Sequence, residues 1–204
     1  MRKNSKNPEV RKQELIDVAT KLFMKKGYGS VSVRDILDEV NGAQGMFYYY
    51  FKSKQDIYIQ AMEQYIDKML FEKSKVINNT ELNFIEKRTL LRKMIYENLN
   101  DYIHGFGPED NASVENTAYK VNYFVEMINK LHLLISKFIM QGIEEGYISS
   151  DVYINEKSVN KYSLFLVYGI WGTLYNSYFT NSKEKFDSGD LISIIEKLFY
   201  KKTI

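Results

Sequence analysis

Between Leu15 and Phe51 the apolar residues form three short runs of helical period, and a tight turn separates each run from the next. Leu15, Ile16, Ala19, Leu22 and Phe23 share one face of a helix. Asn7 is a good N-cap for it, and Pro8 suits the first helical position, where a missing N–H costs nothing. Lys25 and Lys26 sit at the negative end of the helix dipole, and Gly27 supplies the stop. Ser32 and Asp35 then form a capping box ahead of Val33, Ile36, Leu37 and Val40. Asn41-Gly42 ends that second helix, since both residues tolerate positive φ. In the next segment, AQGMFYYYF, Phe47 and Phe51 lie four apart and face inward, which leaves Gln44, Gly45, Met46, Tyr48 and Tyr49 outward. Ser53 with Asp56 caps a long helix through Ile57, Ala61, Met62, Tyr65, Ile66 and Met69. Two short helices behind a longer support have the layout of a helix-turn-helix, whose exposed second helix fits a major groove about 12 Å wide.

Charge agrees with that layout. Residues 1–54 carry eleven Lys/Arg against six Asp/Glu, while the remaining 150 residues carry 17 against 20. A basic head on a mildly acidic body is the outline of a nucleic-acid reader, although a lysine excess without a role leaves the same signature. Cysteine is absent from all 204 residues, which excludes disulfides and thiolate chemistry and fits a reducing, cytoplasmic setting. The basic, polar N-terminus has no apolar stretch behind it, so a signal peptide is not expected. One segment, between Lys161 and Lys183, has no charge, but its Ser, Thr, Asn and Gly content reads as a buried or interface helix and not a membrane span. His104 and His132 are 28 apart, outside any metal-ligand spacing. No phosphate loop, nucleophile elbow or zinc-protease motif is present. The expectation is therefore no enzyme, no cofactor, no metal and no membrane partner.

The rest of the chain predicts helices near 54–77, 82–104, 121–146, 155–181 and 191–200, with HGFGPED as an irregular loop. The expected fold class is all-α. It comprises a three-helix reading head at 1–54 and, with no linker, a helical effector-binding and dimerisation domain at 55–204. Gly169 and Gly172 permit close helix approach, with Tyr168, Trp171 and Tyr175 beside them as anchors. Together with Ile192, Ile195, Leu198 and Phe199 they compose a dimer face, or else ordinary core. Tyr65, Met69, Tyr96, Tyr102, Tyr123, Phe124, Met127, Trp171 and Tyr175 suit the lining of an apolar pocket for a flat, hydrophobic or aromatic ligand. Taken one at a time, each of them is better accounted for by packing.

The run from Leu15 to Ile57 resembles the DNA-binding domain of the tetracycline-repressor (TetR) family. The matching residues are Ala19, Leu22, Phe23, Gly27, Tyr28, Ser32, Val33, Ile36, Gly45, Phe47, Tyr48, Tyr50, Phe51, Ser53 and Lys54. Departures occur at Val31 (usually threonine), Val40 (usually alanine), Asn41 (often glycine) and Gly42-Ala43 (usually Val-Ser). The last of these removes a serine cap worth about 1 kcal/mol from the reading helix. The resemblance implies a homodimer that binds a near-palindromic double-stranded DNA operator and is released by a small-molecule effector. It places Ser32, Tyr48, Tyr49 and Lys54 at phosphates, and Arg34, Gln44 and Met46 at base edges, with Gly45 letting the backbone approach. Arg2, Lys3 and Lys6 form either a minor-groove arm or a solvated tail. A DNA-binding protein of the same fold without small-molecule induction is the alternative, and activation instead of repression stays open.

Overall fold

A computed structural model describes residues 7–106, 114–149, 155–179, 182–184, 186, 189–191 and 193–194; side chains at 99–106, 114–124, 178 and 179 lie outside the description. The described residues are helical throughout, with no strand. In chain order the helices are α1 Pro8–Lys26, α2 Val33–Glu39, α3 Gln44–Tyr50, α4 Lys54–Asn78, α5 Phe84–Phe106, α6 Val114–Glu144 and α7 Val159–Phe179. Arg2, Lys3, Lys6, Ile192, Ile195, Leu198, Phe199 and the side chains of Tyr102, Tyr123 and Phe124 fall outside the described residues.

The described residues of 7–67 and 101–119 group into one compact unit, and those of 68–100 and 120–194 into a second. In the first unit the predicted stops hold for local reasons. Asn7 accepts a hydrogen bond from the Glu9 amide at 3.0 Å, and Gly27 closes α1 with φ 75° while its amide donates to the Phe23 carbonyl. Asn41 is left-handed with φ 49°, which turns the chain out of α2. Leu15, Ala19 and Phe23 of α1, Ile36 of α2, Phe47 of α3 and Ile57, Tyr58 and Ala61 of α4 are all buried. Phe23 meets Tyr58 edge-on at 5.2 Å, and Tyr28 meets Tyr58 at 4.6 Å. Burying these rings sets the relative positions of the short helices, which are too short to be stable alone.

The second unit has its own apolar cluster of Phe84, Ile139, Ile148 and Val159. Gly142 of α6 sits against it, because a Cβ there would lie 2.6 Å from the Phe84 ring and 2.7 Å from Ile148. Helix α6 begins seven residues before the predicted 121. The apolar stripe marks only the buried stretch of a helix, and VENTAYK contains no breaker to stop it earlier. Helix α7 is shorter than the predicted 155–181, because Asn155 and Ser158 form its capping turn: the Asn155 amide donates to Ser158 Oγ and the Val159 amide to the Asn155 carbonyl. None of the described helices is long and apolar enough to cross a membrane.

Candidate nucleic-acid interface

Helix α2 is held by the reciprocal cap its sequence predicts. Asp35 N donates to Ser32 Oγ at 3.1 Å, and Ser32 N donates to Asp35 Oδ2 at 2.7 Å. The Ser32 hydroxyl and then the Ser32 amide hold the Asp35 carboxyl below its ordinary 3.8. The ionised cap is therefore present above that value and is lost as acid protonates Asp35. Ser32 already spends its hydroxyl on Asp35 at 2.6 Å, so its first partner is internal.

Helix α3 starts on Ala43 in extended backbone with no side-chain cap, as the sequence implies. Its seven residues are anchored by Phe47 and Phe51, both buried and 5.4 Å apart. Opposite them Gln44 and Gly45 are exposed, and Tyr48 and Tyr49 are 56% and 74% exposed. Tyr49 also packs edge-on against Tyr50 at 4.8 Å, which stiffens a large ring that faces solvent. On α2, Arg34 is fully displayed and only loosely engaged with Asp38 at 3.8 Å. Arg34, Gln44, Tyr48 and Tyr49 are thus all solvent-exposed side chains of α2 and α3.

Two of the expected contact residues are differently employed. Met46 turns back toward the preceding turn, and a Cβ at Gly42 would lie 2.3 Å from its methyl group. The half-buried Met46 therefore fills the volume that glycine leaves and does not project outward. Lys54 Nζ donates to the carbonyls of Tyr28 and Val31, both at 2.9 Å, and lies 3.9 Å over the Tyr28 ring. It ties the turn between α1 and α2. Lys54→Met is accordingly expected to lower the stability of the head by about 1–2 kcal/mol, through loss of the ammonium's bonds to the Tyr28 and Val31 carbonyls, of which Tyr28 keeps the Val31 amide at 3.3 Å. The slope of log affinity against log salt should stay the same, whereas a phosphate contact would reduce it by about one unit. A melting curve and a salt series on Lys54→Met check both.

Arg11 is the residue that sequence reasoning missed. Its Nη2 donates to the Val40 carbonyl at 2.9 Å, its Nε to Met46 Sδ at 3.1 Å, and its Nη1 to Glu14 at 2.6 Å. These groups are 29 and 35 residues away in the chain, so no local pattern marks Arg11 beyond its i,i+3 pairing with Glu14. One cation therefore clamps each turn of the head: Lys54 the first, Arg11 the second. The departure at position 31 is also explained. Val31 is buried, so a methyl in the core replaces the hydroxyl that threonine would offer.

Residues 15–61 match the model of bacterial regulatory proteins of the tetR family. The segment 15–61 is therefore similar to the DNA-binding domain of that family. The chain is 26% identical over 163 residues to the HTH-type transcriptional regulator QacR of Staphylococcus aureus, covering 78% of this chain and 83% of that protein. It is 30% identical over 162 residues to the uncharacterised HTH-type regulator YuxN of Bacillus subtilis, covering 76% of this chain but only 50% of that protein's length. The regulatory protein TetR from Rhodobacter sphaeroides shares the fold, with a TM-score of 0.58 at 17% identity over 92% of this chain and 97% of the other. The family and these relatives are regulators and not enzymes. Within the family's pattern, the exposed Tyr48 and the capped Ser32 keep their usual identities, while positions 42 and 43 do not.

Proposed function

We propose that this chain is a DNA-binding transcriptional regulator, most simply a repressor, that grips a near-palindromic operator as a homodimer. The observation that carries the reading is the open face of α2 and α3, where Arg34, Gln44, Gly45, Tyr48 and Tyr49 are all exposed on a buried aromatic base. Tyr48 and Tyr49 fix register on phosphates, Arg34 and Gln44 meet base edges, and Gly45 lets the helix come close, while Ser32, whose amide and hydroxyl both donate to Asp35, holds the start of α2. Met46 and Lys54 support this face from behind. Residues 1–54 serve as the reading head and residues 55–204 as the effector-binding and dimerisation domain.

Helix α7 supports the dimer. Phe165 is 79% exposed, Tyr168 is also exposed, and a Cβ at Gly169 or Gly172 would meet nothing within 4 Å. A bare ring beside two open glycines, on the part of α7 after Lys161 that carries no charge, matches a second copy of itself. Two heads on one dimer would then reach successive major grooves about 34–36 Å apart. For the effector, Met69, Met127, Trp171 and Tyr175 of the second unit are half-buried and Tyr96 is exposed, which suits them to line a site within that unit.

The test is anisotropy binding to duplexes selected from a random pool, against random duplex, over a salt series. A palindrome bound far above random DNA is the expected result; weak binding without enrichment overturns the specific regulator. On that palindrome, Gln44→Ala is expected to relax preference at one base position at a cost of about 1–3 kcal/mol, since glutamine pairs bidentately with adenine. Equal losses on specific and random DNA would remove Gln44 from direct readout.

A further inference from the structure

Ile66, Leu70, Lys73 and Ile77 recur along α4 at the spacing of one buried stripe, and all four are buried. A lysine thus occupies an apolar place, only 4% exposed. On α5, Asn98 continues the face of Phe84 and Leu91, two more buried residues, at intervals of seven. The Asn98 side-chain oxygen accepts a hydrogen bond from Lys73 Nζ, and this is the one partner Lys73 has among the described residues.

The second buried lysine shows what a purely structural one requires. Lys87 is also 4% exposed, but its Nζ donates to the Ile77 carbonyl at 2.8 Å and to Gln141 Oε1 at 2.6 Å. The Glu145 carboxylate lies close enough to favour its charge. Lys87 therefore has a helix-end carbonyl, an amide and a counter-charge. Lys73 has a neutral amide and nothing else among the described residues. Burial pushes Lys73 down to about 8, so at neutral pH it is still an ammonium ion. An isolated charge in a core is costly, and a methionine would fill the same volume without that cost.

We propose that Lys73, oriented by Asn98, is the anion-recognising end of the effector site, and that the effector is a small organic carboxylate with an apolar body. The inference rests on the effector reading above and names its ligand class. A single ammonium with two N–H donors to give matches one carboxylate: one opposite charge and two acceptor oxygens. A phosphate dianion would call for a second cation or an arginine fork. The apolar residues along the stripe then suit the remainder of the molecule.

The test uses the full chain. Benzoate, 2-naphthoate and octanoate are compared with their primary amides by thermal shift and by titration, with chloride and phosphate at matched ionic strength as the inorganic arm. The expected result is that at least one carboxylate binds at least about tenfold more tightly than its amide, the size of one charge-assisted hydrogen bond. Lys73→Met should abolish that preference and melt above the parent without ligand, while Lys73→Arg, which keeps the charge, should retain it. The proposal fails if no carboxylate outperforms its amide on the parent chain, if inorganic anions reproduce the shift, or if Lys73→Met keeps the preference. Binding of operator DNA without ligand is read on the same samples. Its loss would count against the regulator reading, and an intact operator complex with no carboxylate preference would count against Lys73 alone.

Discussion

Replacing Gly45 with leucine is expected to reduce operator affinity to the level of random DNA, a loss of about a thousandfold or more. The protein should at the same time melt at the same temperature or higher. Both halves follow from the surroundings of Gly45. It lies in the first turn of α3, is exposed, and a Cβ there would meet no atom of the chain within 4 Å. Its backbone does not adopt a positive φ. Nothing inside the protein therefore calls for glycine, and within a helix glycine costs about 1 kcal/mol against alanine or leucine. A residue that weakens the chain's shortest kind of helix and relieves no internal crowding is accounted for by something that approaches from outside. A leucine side chain at that spot would hold the reading helix off the groove floor. Circular-dichroism melting and anisotropy on the selected palindrome measure the two effects. An unchanged affinity would remove Gly45 from the interface.

The second large effect is structural. Phe47→Ala is expected to cost about 3–5 kcal/mol, which is comparable to the whole stability of many small units. Phe47 has no exposed surface and touches Phe51 and Tyr48, with ring centroids 5.4 Å away in both cases. It is the one residue of α3 that is fully buried, so the truncation leaves a cavity under a helix with no cap at its start. Amides of α2 and α3 should lose their protection from hydrogen exchange, and binding to specific and random DNA should fall together. That joint loss separates a collapsed head from the selective defect expected of Gln44→Ala. Preserved exchange protection would mean that Phe51 and the α1 face alone can hold α3.

The three-helix head was readable in the sequence because each of its boundaries is made by neighbours. Pro8 and Asn7, the Ser32–Asp35 box, Gly27 and Asn41 all act within four residues of where they stand, and the structure uses them in those roles. The inward pair Phe47 and Phe51 followed from helical spacing for the same reason. What spacing does not carry is the identity of a partner far along the chain. Arg11 reaches Val40 and Met46, and Lys54 reaches Tyr28 and Val31, so these cations read as surface charge until the turns they clamp are folded beside them. Lys73 escaped notice for a related reason. A pattern search rewards apolar residues on a stripe and passes over the one polar residue that interrupts it. Helix α6 starts ahead of its apolar stripe because burial periodicity marks where a helix is covered, not where it begins.

Positions 42 and 46 share one volume, which neither shows alone. The family pattern has valine at the first and this chain has glycine, yet the space is not empty, because the Met46 methyl occupies it. The space that a side chain at 42 would take is filled from four residues along, on α3. The two positions are therefore coupled by packing: a branched residue at 42 would require the Met46 side chain to move. A change at a site buried beneath the reading helix would thus redraw which bases are preferred above it. If α3 reads the operator as proposed, a variant changed only at residue 42 need not prefer the same sequence as the parent.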